Sequence, residues 1–253
     1  MACSAQHAAE ERVERLIDTG ADEPLRYPSG VPERSVTPAG SPDGALVDLL
    51  GMLAYGELLA FDRMAADARL APDLARRAML SEMAGVEIAN YRRLAERLRE
   101  LGADPEAAMR PFVAPLKAYH DQTQPRDYLE AVTKAYVGDA IADDFFREVA
   151  GMLAAPDRNL VLDVLHDTRY HDFAADEIRR AIAADPKVAN RLSMWARRLV
   201  GEGLSQAQRV ARERLPLAAL IAAGTGDANG VQSLFKRLTS AHTTRMTAVG
   251  LNN

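Results

Sequence analysis

Residues 43–70 decide the fold class, and they read DGALVDLLGMLAYGELLAFDRMAADARL. Their apolar positions are three and four residues apart, which is the spacing of one buried face of an α-helix. These positions are Leu46, Leu50, Leu53, Ala60 and Met64. Glu57 interrupts the apolar stripe near its middle. The pattern predicts a long core helix that carries one carboxylate on its buried side.

The rest of the chain after residue 70 also has a composition and pattern typical of helices. From Asp43 onward it is rich in Ala, Leu, Arg and Glu, which favour helices, and poor in β-branched residues. Breaks at Pro, Asp and Gly divide it into six predicted helices. They cover residues 43–70, 73–101, 127–154, 157–184, 187–222 and 228–249. We therefore expect an all-α fold, an antiparallel four-helix bundle with two additional C-terminal helices.

Two proline-containing stretches separate these parts. Residues 1–44 hold five prolines between Pro24 and Pro42, which predicts an N-terminal arm and Pro-rich linker before a helical domain at 45–253. Residues 101–115 hold one glycine and three more prolines, which predicts a long crossover between two helix hairpins. The core bundle is then expected at about 43–184, and the extra helices at about 187–249.

Composition and charge exclude several classes of protein. The chain has 253 residues, 48% hydrophobic and 26% charged, and 31 basic against 36 acidic residues give a formal charge of −5. An acidic balance argues against general nucleic-acid affinity, so we expect no DNA partner. Cys3 is the single cysteine, which excludes an intramolecular disulfide and a Cys-based zinc site. No uncharged apolar run reaches the ~18 residues of a membrane span, so a soluble, cytoplasmic protein is expected.

Each of the four bundle helices carries one acid in the middle of its apolar stripe. These acids are Glu57, Glu87, Asp139 and Asp167. Mid-helix positions of antiparallel hairpins lie at similar depth, so the four carboxylates are expected to converge. Four buried carboxylates cannot all ionise without cations, and a metal centre would neutralise them. The alternative is that some of these acids face outward or pair with arginine.

With these residues the chain resembles ferritin-like di-iron carboxylate proteins, whose pattern is one acid from each of two helices and an acid-x-x-His pair from each of the other two. Around the third and fourth helices it is similar to bacterial ferritin-like proteins related to tRNA methylthio-isopentenyl-adenosine hydroxylases. The resemblance implies that Glu57 and Asp139 are the single acids and that Glu87 and Asp167 belong to the pairs. It also implies O₂-dependent hydroxylation of a C–H bond, with tRNA as a partner.

The chain departs from that pattern at both histidine positions, which are occupied by Asn90 and Tyr170. His171, four residues after Asp167, is an alternative ligand. Imidazole suits iron, whereas carboxylate and amide groups suit Mn or Mg. The sequence therefore leaves three possibilities for the metal content of the site. They are iron in a di-iron site, Mn or Mg, and no metal.

Two functions follow from these residues. The first is a ferritin-like protein with a histidine-depleted remnant of a di-iron site, metal-poor or binding a non-standard metal. The second is an active di-iron oxygenase. The two C-terminal helices, with apolar positions such as Leu192, Trp195 and Leu234, are expected to pack on the bundle or to mediate a homo-oligomer.

Overall fold

The computed structural model describes residues 42–165, 168–225 and 230–252, and this part of the chain is helical without any strand. The predicted N-terminal arm lies almost entirely outside the described residues, as do His166 and Asp167. The prediction of an all-α fold is confirmed.

Ten α-helices occur within the described ranges. They are α1 (Pro42–Asp67), α2 (Leu74–Glu100), α3 (Pro105–Gln122), α4 (Tyr128–Lys134), α5 (Ala140–Ala150), α6 (Ala155–Val164), α7 (Thr168–Ala184), α8 (Lys187–Glu213), α9 (Leu215–Thr225) and α10 (Gly230–Ala248). A 3₁₀ turn, Ala68–Leu70, follows α1. A π-helical segment, Ala135–Asp139, joins α4 to α5.

The four-helix bundle consists of α1, α2, the α4–α5 pair and the α6–α7 pair. Aspartate N-caps start two of its elements, since Asp73 accepts a hydrogen bond from the backbone of α2 and Asp127 from that of α4. Buried apolar side chains from all four elements form the core. Ion pairs join α2 to the fourth element, where Arg97 Nε lies 2.7 Å from Asp157 Oδ1.

The crossover predicted at residues 101–115 is wrong for most of its length. Only 101–104 are non-helical, and α3 continues to Gln122 with Pro111 and Pro115 inside it. The backbone of α3 lies so close to α1 that a Cβ on Gly51 would come within 2.3 Å of the Ala108 carbonyl oxygen. Phe112, on the same helix, is fully buried. This packing outweighs the cost of two internal prolines.

Three of the six predicted helices are interrupted. The third contains the π-helical segment, and the fourth is broken after Val164, where Leu165 is extended. The fifth, predicted as 187–222, ends at Glu213 and resumes as α9. Arg214 at that break donates from Nε to Asp48 Oδ2 of α1 at 3.0 Å. Pro216 in the first turn of α9 has no N–H to continue the hydrogen bonds of α8.

The helices after residue 187 pack on the bundle, as one of the two predicted arrangements requires. Helix α8 contacts α3 and α4, α9 contacts α1, and α10 contacts α5. Within the described residues, Gly44–Leu70 is the one helical stretch long and apolar enough to cross a membrane by length and composition. Half of its apolar window is buried inside the bundle, as expected for a core helix.

Candidate functional site

Three of the four predicted acids lie at one cavity. Glu57 of α1 is 4% exposed and Glu87 of α2 is 3% exposed. Asp139 is the last residue of the π-helical segment, and all three line the same cavity of about 250 Å³. Asp167 lies outside the described residues. These three acids therefore line one cavity, and their convergence as one set of ligands stays a prediction.

The π-helical segment positions Asp139. Its wider turn inserts an extra residue into a helix that continues as α5, and such π-bulges are frequent at functional sites. Gly138, just before the acid, faces Tyr119 of α3, whose hydroxyl would lie 2.6 Å from a Cβ at this position. A close approach between elements therefore requires the glycine here.

A buried arginine neutralises Asp139. Arg63 Nη2 of α1 donates to Asp139 Oδ2 at 2.6 Å, and the hydroxyl of Tyr170 donates to the same oxygen at 3.1 Å. The Arg63 side chain is only 7% exposed. Burial disfavours its charge, but the attraction of Asp139 and the smaller effects of Tyr170 and Asp67 outweigh this, so the pKa of Arg63 lies well above its usual value. For Asp139, pairing with arginine is thus the arrangement that the structure shows.

The remaining donors of Arg63 have no partner in the protein. Among the described residues, neither Nε nor Nη1 of its guanidinium donates a hydrogen bond. Arg63 also lines the cavity. Buried donors of a charged group are costly when left without an acceptor.

A second buried cation lies near Arg63. Lys134 of α4 is 2% exposed and donates from Nζ to the Thr123 carbonyl at 2.7 Å. Burial and the repulsion of Arg63 lower the pKa of Lys134 to about 7. Burial raises the pKa of Asp67, which interacts with both cations. The interior thus holds a mixed cluster of acids and bases rather than carboxylates alone.

The two positions where the family pattern has histidines serve different contacts. Asn90 Nδ2 donates to the Val164 carbonyl at 3.0 Å and so satisfies the end of α6 at the helix break. Tyr170 is buried against Asp139. Burial and the negative charge of Asp139 raise the pKa of Tyr170 well above its usual value, so its hydroxyl stays protonated as a donor.

His171 packs on a neighbouring aromatic ring. Its ring centroid lies 4.4 Å from that of Tyr136, and His171 is not among the residues that line the cavity. Burial and the charge of Arg245 lower its pKa. Asp167 and His171, four residues apart, were predicted as a ligand pair, and this pairing stays a prediction because Asp167 is not described.

The cavity walls come from the bundle and from the helices that cover it. The lining residues belong to α1, α2, the π-helical segment and α5 of the bundle and to α3, α8, α9 and α10. His120 of α3, which the predicted crossover left without a role, is a lining residue. Burial, with the charges of Lys134 and Arg63, lowers the pKa of His120 to about 2, so the ring is neutral.

The described residues contain no ready-made metal site. Within 42–165, 168–225 and 230–252, no group of three or more His, Cys, Asp or Glu side chains is arranged to hold a metal ion. The ligand roles of Glu57, Glu87, Asp139, Asp167 and His171 therefore stay predictions.

Three residues of the site were not predicted from the sequence, namely Arg63, Lys134 and His120. A signal for Arg63 was present, because it is the only basic residue among the 26 of α1. It also lies seven residues after Gly56, which places both on one helical face.

The sequence profile described as "Ferritin-like domain, actinomycetes" matches residues 42–224, which is most of the chain. This range starts with α1 and ends within α9, so it includes the bundle and every acid of the site. No curated relative matches the sequence. The chain belongs to this actinomycete family of ferritin-like domains.

Proposed function

We propose that this protein is a metal-independent member of the ferritin-like family, which binds a small molecule in its cavity instead of activating O₂ at a di-iron centre. The contact between Arg63 and Asp139 at 2.6 Å carries this proposal. A guanidinium there supplies the positive charge that a metal would otherwise bring to the carboxylates.

The donor set does not fit a di-iron centre. Asp139 Oδ2 already accepts two hydrogen bonds, from Arg63 and Tyr170. A cation arriving at this carboxylate would also be repelled by the buried guanidinium. Asn90 directs its amide toward the Val164 carbonyl, so this side chain is already engaged by the protein.

The second candidate is a di-iron oxygenase similar to the tRNA hydroxylases. It is favoured by the presence of Glu57, Glu87 and Asp139 at one cavity with apolar walls. Mn or Mg at the same carboxylates is a variant of this candidate, since both prefer oxygen ligands. An RNA substrate is proposed on the resemblance alone, and a gel shift with tRNA that weakens steeply with salt would support it.

Metal analysis separates the two candidates. Purified protein is incubated anaerobically with Fe(II), Mn(II) or Mg(II), desalted and analysed by mass spectrometry for bound metal. We expect substoichiometric metal in the wild type and a gain in Arg63→Met, which removes the competing cation from the carboxylates. Arg110→Met, at an exposed pair with Glu106, is the matched control and is expected to behave as wild type.

A stoichiometric di-iron content in the wild type, together with O₂ consumption, would overturn the metal-independent assignment. If the wild type holds no iron but Arg63→Met gains none either, Arg63 is not what displaces the metal. The difference between these variants is informative because only one of the two arginines is buried.

A homo-oligomer is proposed through the C-terminal helices. Leu215 at the start of α9 is 71% exposed and Met194 of α8 is 68% exposed, so both side chains are available for a contact. Light scattering during size-exclusion chromatography measures the mass directly. A monomer across a range of protein concentrations would contradict this proposal.

A further inference from the structure

The cavity is lined mainly by apolar side chains. Leu53 of α1, Phe145 and Phe146 of α5, Leu217 of α9 and Phe235 of α10 are among them. Protein interiors leave few voids larger than a water molecule, so a partly open cavity of about 250 Å³ has room for a bound molecule. Apolar walls of this kind bind apolar molecules in preference to water.

Part of the cavity lining is polar, and its buried groups without a partner among the described residues include donors of Arg63 as well as one acceptor, Gln206 Oε1. Arg63 lines the cavity with its side chain 7% exposed, and within the described residues its Nε and Nη1 donate to no protein atom. A guanidinium has donors and no acceptors. A ligand that satisfies Arg63 must therefore bring an acceptor, which an ammonium group cannot do.

The charges around Arg63 favour an uncharged acceptor. The positive charge of Arg63 is already matched by Asp139. A ligand carboxylate would bring a second negative charge to a guanidinium that one carboxylate already matches, and like charges in a poorly solvated site repel each other strongly. A hydroxyl or carbonyl oxygen accepts a hydrogen bond without that cost.

The volume sets the size of the ligand. Cavities of ~150 Å³ in other proteins hold benzene, so about 250 Å³ corresponds to roughly ten non-hydrogen atoms. We propose that the cavity binds an apolar molecule of this size that ends in an uncharged oxygen acceptor, held by the open donors of Arg63. This inference rests on the proposed function in one respect, namely that Arg63 faces the cavity in place of a metal.

Four probes of matched length test the proposal by isothermal titration calorimetry. They are nonan-1-ol, nonan-2-one, nonanoate and nonylamine. We expect the alcohol and the ketone to bind at least about tenfold more tightly than the two charged probes, as one hydrogen bond to a charged group predicts. Equal or tighter binding of nonanoate or nonylamine overturns the uncharged-acceptor assignment, and absence of binding by all four overturns the site.

Two variants locate the binding. Arg63→Met is expected to weaken the alcohol and the ketone about tenfold, because it removes the donors but keeps an apolar stem. Gly56 lines the cavity, and a Cβ there meets no atom within 4 Å, so Gly56→Leu introduces a side chain that can occupy the space without a clash at its Cβ. It is expected to abolish binding of every probe. Unchanged binding in Gly56→Leu overturns the proposal even if Arg63→Met fails to fold.

Gly85→Leu is the matched control, since Gly85 lies on the exposed side of α2 with equally open surroundings. It is expected to bind as wild type. Metal content is measured on the same samples, so the failures of the two proposals are distinguishable. Metal-free protein that binds no probe overturns the ligand site and leaves the metal-independent assignment standing, whereas iron-loaded protein overturns that assignment and, with it, the role of Arg63 in holding the ligand.

Discussion

Arg63→Met is expected to destabilise the protein strongly. In the wild type the guanidinium lies 2.6 Å from Asp139 Oδ2, and the two side chains are 7% and 16% exposed. The variant leaves this carboxylate with the hydroxyl of Tyr170, 3.1 Å away, as its remaining described hydrogen-bond donor. Removal of one partner of a buried ion pair costs about 3–5 kcal/mol. Because methionine recovers some apolar contact, we expect a loss of about 3 kcal/mol in the free energy of unfolding.

A double-mutant cycle separates the pair from general packing effects. Arg63→Met, Asp139→Asn and the double variant are unfolded in urea and followed by far-UV circular dichroism. The double variant is expected to be more stable than the sum of the single changes predicts, by about 2 kcal/mol, because it leaves no uncompensated charge. The same cycle at the exposed Arg110–Glu106 pair is expected to show a coupling below about 1 kcal/mol.

A cost of less than about 1 kcal/mol for Arg63→Met, or a coupling to Asp139 no larger than that of the exposed pair, would contradict this prediction. Either result would mean that the guanidinium is not the cation that makes the buried carboxylates tolerable. The metal-independent function would then lose its physical basis.

Three further predictions concern other buried positions. Burial and the charge of Arg63 lower the pKa of Lys134 to about 7, whereas the pKa of a lysine in the unfolded chain is about 10.4. Between these two pH values the unfolded state binds more protons than the folded state, so the free energy of unfolding rises with pH. We expect Lys134→Met to remove a rise of up to about 1.4 kcal/mol per pH unit in urea titrations, and an unchanged slope would contradict this. His242 is 1% exposed, and within the described residues neither ring nitrogen has a hydrogen-bond partner. His242→Leu is therefore expected to raise the free energy of unfolding by about 1–2 kcal/mol. A lower free energy of unfolding in this variant would show that the imidazole stabilises the fold. Gly51→Ala places a Cβ 2.3 Å from the backbone of α3 and is expected to lower the free energy of unfolding by about 1–3 kcal/mol, as measured by thermal unfolding. Gly85→Ala, on an open helix face, is expected to stabilise the protein. Equal effects of the two variants would argue against the close approach of α1 and α3 at Gly51.

Local signals in the sequence were sufficient to predict helical segments and the residues at which some of them begin. Asp73 and Asp127 cap α2 and α4 as their Pro-Asp and Pro-Arg-Asp contexts suggest. The central acids of the first two stripes, Glu57 and Glu87, are indeed buried. Such features depend on the 3.6-residue period and on side chains within one turn, which the sequence contains directly.

The prolines of α3 show where local signals mislead. Pro111 and Pro115 predict a loop, but Phe112 and the close contact at Gly51 hold this segment as a helix against α1. A proline penalty of about 3 kcal/mol is comparable to the burial of one or two large apolar side chains. Tertiary packing therefore outweighed the low helix propensity of the two prolines, and no local sequence pattern indicates that packing.

The sequence by itself determined that the fold is all-α, that apolar stripes carry central acids, and that Asn90 and Tyr170 stand in the histidine positions. Only the tertiary structure decided what compensates those acids. Arg63 and Asp139 are 76 residues apart, and their contact depends on a π-helical turn and on two helices meeting at one depth. The stripe rule concerns one helix at a time, whereas the neutralisation of a buried charge depends on every element around it. That is why one acid of a carboxylate pattern that predicts a metal in the sequence, Asp139, pairs with an arginine in the fold.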